Sequence, residues 1–168
     1  MVILHFETKI HAAVEKVFDM ARTVEVHLET AAHTQEKAVG GKTSGLLEKG
    51  NTIVWEARHL GVRQRLTAEI VEMEPHSFFE DQMLRGAFAF LRHKHSFEST
   101  STGTLMKDQI EFEAPWGILG RFAEFLFLKR HMSHFLVTKN EVFKVLVENT
   151  GEPIRVEELG ILRRNKEE

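Results

Sequence analysis

The residues best suited to chemistry in this sequence are two histidines and an aspartate that share strand faces with apolar residues. His93 and His95 alternate in phase with Phe97, and Asp108 is in phase with Met106 in the next alternating segment. A short Ser/Thr/Gly turn joins the two segments, which favours adjacent antiparallel strands. A histidine beside an aspartate can act as a general base with its orienting group. If the protein is an enzyme, we predict His95 and Asp108 as its catalytic residues.

The same side chains also fit a purely structural role, and the sequence favours that interpretation. An ionised Asp108 removed from water needs a partner, and an imidazole supplies a hydrogen bond or a positive charge. Buried polar networks of this kind commonly hold strands and helices in place without catalysing anything. The sequence therefore leaves open whether the protein is an enzyme and favours a role without catalysis, with catalysis by the His/Asp pair as the alternative.

A metal site is a third interpretation of the histidines. His93 and His95 place two imidazoles on one strand face, and Asp108, His131 or His134 could complete a set suited to zinc. A compact motif such as His-Glu-x-x-His is absent, and the ten histidines are scattered along the chain. We predict neither a metal nor another cofactor.

Two further predicted strands carry polar residues on the face that they share with apolar residues, which is the face expected to point into the protein. Trp55 alternates with Ile53 in the third strand, and this phase includes His59. In the fourth strand, Gln64 is in phase with Leu66. These residues would therefore face any space that lies under the sheet.

The fifth strand leaves its inward face undecided. Phe78 and Leu84 support one phase, whereas Phe79, Asp81 and Met83 support the opposite one. Alternation alone cannot choose between two faces that are both apolar in part.

The elements that must position these groups follow a simple order. Residues 2–10 alternate as a strand, and apolar residues then recur at three- and four-residue steps, which predicts two short helices. Between 34 and 114, turn residues divide a strand-like region into six strands. The run 117–147 contains no proline and predicts one long helix that covers the apolar face of the sheet. The fold class is therefore α+β: a curved seven-stranded antiparallel sheet around a long C-terminal helix.

Composition narrows the functional classes. With 168 residues, a net charge of −3 and no cysteine, the chain suits one domain over 1–148 and a charged, flexible tail over 149–168. Interspersed charges argue against a nucleic-acid binder, and no segment predicts a signal peptide or an integral membrane span. We expect a cytoplasmic protein, and the sequence leaves its oligomeric state open.

Four segments resemble a known family. They are Trp55-Glu56-Ala57-Arg58-His59-Leu60-Gly61-Val62-Arg63-Gln64, Arg92-His93-Lys94-His95-Ser96-Phe97-Glu98, Gly103-Thr104-Leu105-Met106-Lys107-Asp108 and Gly120-Arg121-Phe122-Ala123-Glu124-Phe125-Leu126-Phe127-Leu128-Lys129-Arg130. Together with the element order, they are similar to bacterial stand-alone members of the START-like (SRPBCC) superfamily, which has the helix-grip fold and includes polyketide cyclase/dehydrase-like proteins.

The resemblance implies a cavity between sheet and helix that binds a hydrophobic or amphipathic small molecule, lipid-like or aromatic and polyketide-like. The alternative that it implies is a cofactor-independent cyclase or dehydratase that uses the His/Asp pair. The residues expected to bind the ligand are Trp55, His59, Gln64, His93, His95, Phe97, Met106, Asp108, Phe122 and Leu126.

Overall fold

The computed structural model describes residues 1–59, 61–115 and 127–149, and for His59 the backbone alone. Its first part comprises a strand, two short helices and a 3₁₀ turn, and its remainder comprises six strands and a long helix. The elements are β1 (Val2–Ile10), α1 (Val14–Ala21), α2 (Val24–Thr30), a 3₁₀ turn (Ala32–Thr34), β2 (Lys37–Gly41), β3 (Thr52–His59), β4 (Val62–Glu74), β5 (Phe78–Arg85), β6 (Phe90–Thr100), β7 (Gly103–Glu113) and α3 (Lys129–Glu148).

The seven strands form one antiparallel sheet in the order β1-β7-β6-β5-β4-β3-β2. The strands β2 to β7 follow one another as a meander. The strand β1 lies at one end of the order and pairs with β7. The hairpin of β6 and β7 runs from Phe90 opposite Glu113 to Thr100 opposite Gly103. This architecture confirms the predicted helix-grip class of α+β fold.

The longest strand, β4, is also irregular. Its pairing with β5 shifts register between Thr67 and Ala68 and again between Ile70 and Glu72. Shifts of this kind bend a strand and increase its twist. The bends belong to the curvature with which the sheet wraps α3.

The helix α3 joins two apolar clusters of the core. Phe143 and Val147 belong to a larger cluster with α1, α2 and residues of β3 to β7, whereas Met132 and Leu136 belong to a smaller cluster with β1, β6 and β7. Between these two apolar stretches the helix carries a polar pair, Lys139 and Asn140. The helix therefore places polar groups under the middle of the sheet.

Two predicted segments lie partly outside the described residues. The helix predicted over 117–147 is described as α3 from Lys129, and 116–126 is outside the description. The tail predicted over 149–168 is described only at Asn149.

The tip of the β6–β7 hairpin depends on a glycine. Gly103 has a φ of +144°, and a Cβ there would lie 2.2 Å from the Ile10 carbonyl oxygen and 2.9 Å from the His11 Cα. Gly50 also has a positive φ, +83°, but a Cβ would meet nothing within 4 Å.

We expect Gly50→Ala to destabilise the fold by about 1 kcal/mol and Gly103→Ala by about 3 kcal/mol or more.

Urea denaturation of both variants measures this difference. Gly50→Ala is the matched control, because it shares the positive φ without the steric overlap. Equal losses of stability in the two variants would show that the close approach of β1 to Gly103 is not tight.

Candidate functional site

A cavity of about 200 Å³ lies between the sheet and the helices α2 and α3. Strand alternation directs apolar side chains of the central strands into it, and the helices close it from the other side. Its apolar lining includes Val26, Leu47, Ile53, Trp55, Leu66, Ile70, Phe79, Phe88, Leu91, Met106, Ile110, Met132, Phe135, Leu136 and Phe143. The other lining residues are polar or charged, and a mainly apolar cavity with polar groups that converge on it is the usual form of a small-molecule site.

One polar group of the site is built around Asp108, whose side chain has no exposed surface. The Nε2 of His93 lies 3.1 Å from Asp108 Oδ1, and Asn140 donates from Nδ2 to Oδ2 at 2.7 Å. His95 stands directly opposite Asp108 across the β6–β7 pair, with Nδ1 2.6 Å from Oδ1 in a contact that is not a well-aligned hydrogen bond. The carboxylate thus holds two imidazoles and one residue of α3.

The two imidazoles decide the charge of Asp108. Burial by itself would raise the pKa of Asp108, but the adjacent His95 and His93 outweigh it and hold that pKa well below its usual range. Burial, together with the positive charge that His95 would carry, lowers the pKa of His93. Asp108 is therefore a carboxylate, and His93 favours its neutral form.

A second polar group joins α2 to α3. Lys139 Nζ donates to His27 Nδ1 at 3.1 Å, and His27 Nε2 lies 3.4 Å from Glu36 Oε2. The His27 ring stacks on Trp55, with ring centroids 4.0 Å apart. Burial lowers the pKa of Lys139, and burial together with the Lys139 charge lowers the pKa of His27.

Asp81 is the third acidic member of the site. It stands opposite His93 across the β5–β6 pair, and its Oδ2 lies 3.8 Å from His95 Nε2. Burial raises the pKa of Asp81, and the nearby His93 and Lys139 counteract this. His95 therefore has one carboxylate on each side, Asp108 at Nδ1 and Asp81 at Nε2.

The residues predicted to bind a ligand fall into three groups. Those that line the cavity are Trp55, Gln64, His93, His95 and Met106. Asp108 and Phe97 do not line it: Asp108 lies behind the imidazoles, and Phe97 packs in the larger cluster with its ring 5.5 Å from that of Phe18. The side chains of His59, Phe122 and Leu126 lie outside the description.

The sequence analysis missed several residues of the cavity, and three polar ones among them had left a signal in the sequence. Asp81 belongs to the Phe79 phase of the fifth strand, the phase that the structure turns inward. Lys139 lies three residues after Leu136, on the helical stripe that continues to Phe143, so it shares the buried face. His27 gave the weakest signal, because a helix of seven residues defines its buried face poorly.

The comparisons with known proteins agree with this architecture. The family model described as "Polyketide cyclase / dehydrase and lipid transport" matches residues 10–133, more than half of the chain. The chain belongs to this family, whose START-like fold is one that binds hydrophobic ligands. No protein of curated function shows significant sequence similarity to it.

Solved structures show the same fold at low sequence identity. The protein TTHA0849 from Thermus thermophilus is similar with a TM-score of 0.74 at 17% identity, over 90% of this chain and 100% of that one. A START superfamily protein from Mycobacterium smegmatis gives a TM-score of 0.67 at 10% identity, over 87% and 97% of the respective chains. Within the described parts of the chain, none of the helices has the length and apolar character needed to span a membrane.

Acid should destabilise the folded protein through His93. Its folded pKa is lowered, so below about pH 6.5 the unfolded chain binds a proton that the folded chain does not. Stability is therefore lost as the pH falls through this window, by at most about 1.4 kcal/mol per pH unit for one group. We expect His93→Gln to lose less stability than the wild type between about pH 7 and pH 5.5 in urea denaturation.

The control for this experiment is His134→Gln, because it makes the same substitution at an exposed histidine of α3, outside the buried cluster. His27 acts with the same sign as His93, so part of the dependence should remain in His93→Gln. Asp81 acts with the opposite sign and stays in both variants. A pH dependence in His93→Gln equal to that of the wild type would contradict the assignment.

Proposed function

We propose that the protein binds a compact hydrophobic or amphipathic molecule, aromatic or acyl in character, in the cavity between the sheet and α3. The observation that carries this proposal is a partly open, mainly apolar cavity of about 200 Å³ whose polar residues project from both the sheet and the helices. A filled core would have no such space, because protein interiors pack to near crystal density.

The volume limits the ligand. Pockets for drug-sized molecules occupy roughly 300–1,000 Å³, so a cavity of about 200 Å³ suits one or two aromatic rings or a short acyl chain. Burying roughly 200 Å² of apolar ligand surface contributes about 5 kcal/mol, which by itself corresponds to submillimolar affinity. Tighter binding needs polar contacts as well.

The polar residues favour a hydroxyl or a carboxyl group on the ligand. Where His95 engages Asp108 through Nδ1, its Nε2 can accept a hydrogen bond, while Lys139 offers an ammonium donor. A hydroxyl can donate to the imidazole and accept from the lysine. This pairing supports an amphipathic ligand over a pure hydrocarbon.

Filling the cavity should abolish binding without unfolding the protein. Ala57 is buried on β3 and lines the cavity, so Ala57→Leu adds three carbons to the space a ligand would occupy. We expect at least a tenfold loss of affinity, which is about 1.4 kcal/mol. Fluorescence titration with 2-naphthol and calorimetry with decanoate measure it, and native mass spectrometry of the purified protein detects a retained ligand.

Val62→Leu is the matched control, since Val62 is 59% exposed and does not line the cavity. The control should bind as the wild type does. Unchanged affinity in Ala57→Leu, with both variants folded by circular dichroism, would place the ligand elsewhere.

The second candidate function is a cyclase or dehydratase, and the position of His95 favours it. The imidazole lines the cavity while Asp108 contacts its far nitrogen. His95 could therefore remove a proton from the carbon next to a carbonyl and return it to the β-hydroxyl group, which leaves as water, while Asp108 would set the tautomer of His95. Asp108 does not line the cavity. In this function it is a positioning residue and His95 is the catalytic one.

Turnover separates this candidate from simple binding. With a β-hydroxy carbonyl substrate followed by the absorbance of the dehydrated product, His95→Gln should lose at least about 100-fold in rate. Its melting temperature should stay close to that of the wild type, and the exposed His134→Gln should keep full activity. If no conversion occurs while 2-naphthol binds, the protein is a binder.

A further inference from the structure

We propose that Asp81, His93 and His95 form a binding site for one divalent transition-metal ion, such as Zn²⁺, on the wall of the cavity. This departs from the expectation of no metal that the sequence alone gave. It also goes beyond the proposed function, because ligand binding requires no metal.

The backbone brings the three side chains together on one face. Asp81 of β5 is the direct partner of His93 on β6, and His95 follows two residues later on the same face. Each side chain offers one ligand atom, and these atoms all lie within 4.8 Å of one another. Ligands held about 2.0–2.1 Å from a tetrahedral zinc ion are about 3.4 Å apart. The 3.8 Å between His95 Nε2 and Asp81 Oδ2 is close to that spacing.

Asp108 supplies the support that metal-binding histidines usually have. Histidine ligands generally donate their second ring N–H to a carboxylate, which fixes the tautomer and the ring orientation. Asp108 Oδ1 contacts His93 at Nε2 and His95 at Nδ1. In the tautomers that carry their proton on these two nitrogens, Nδ1 of His93 and Nε2 of His95 have lone pairs. Asn140 in turn orients the carboxylate.

The donor set indicates the kind of metal. Two imidazoles and one carboxylate suit Zn²⁺ and other first-row divalent ions better than Ca²⁺ or Mg²⁺, which prefer oxygen ligands. Three protein ligands leave a coordination position open. His93, His95 and Asp81 all line the cavity, so that position is on the cavity side.

Cobalt titration of the chelator-treated protein tests the site. Co²⁺ reports its coordination by visible absorption, and we expect a transition that saturates at one ion per chain and is reversed by Zn²⁺. Asp81→Asn and His95→Gln should each weaken binding at least tenfold. Asp108→Asn should weaken it about 10- to 100-fold, as the loss of a supporting carboxylate typically does.

His134→Gln is the control for adventitious binding, because it removes an exposed histidine and should leave both stoichiometry and affinity unchanged. Circular dichroism shows whether each variant is folded, and Asp81→Asn alters a strand residue that is partly exposed. Wild-type affinity in a folded Asp81→Asn would overturn the proposal, as would wild-type binding without saturation at one ion. Titration with 2-naphthol in metal-free protein tests the proposed function separately.

Discussion

A carboxylate without access to water must be surrounded by hydrogen-bond donors, and the arrangement around Asp108 follows from that requirement. The side chain sits on β7 with no exposed surface, and leaving it unpaired would cost several kcal/mol. Its partners come from β6, through His93 and His95, and from α3, through Asn140. The helix therefore has one register in which Asn140 reaches the carboxylate, and that register also fixes where Lys139 points.

The cavity is a consequence of the same register. Along α3, Leu136 packs in the smaller apolar cluster and Phe143 in the larger one, and Lys139 and Asn140 lie between them. The amide and the ammonium group of these side chains must be hydrogen-bonded and cannot pack as apolar groups do. The two apolar clusters therefore do not merge into one core. The space that remains is lined by the apolar edges of both clusters and by the polar residues that separate them.

The sequence predicted the fold because its signals are local and repeated. Alternation and turn residues define the strands, and one long helical stripe provides the layer that covers them. The site was predicted in part. Strand alternation placed His93 and His95 on the inward face, but in the fifth strand it could not decide whether Phe78 or Phe79 points inward. Alternation also could not distinguish a residue that lines the cavity from one that is covered by other side chains, such as Asp108. How far an inward side chain lies from the cavity depends on the packing between elements.

The paired imidazoles bear on what the cavity can hold. Because Asp108 stays ionised and contacts Nδ1 of His95, the Nε2 of that ring can present a lone pair beside the Asp81 carboxylate. This wall therefore accepts hydrogen bonds or coordinates a cation, whereas Lys139 on the opposite element donates. A hydroxyl-bearing ligand and a divalent ion satisfy the same lone pairs in different ways. Which of them occupies the wall decides whether His95 is left free to act as a base.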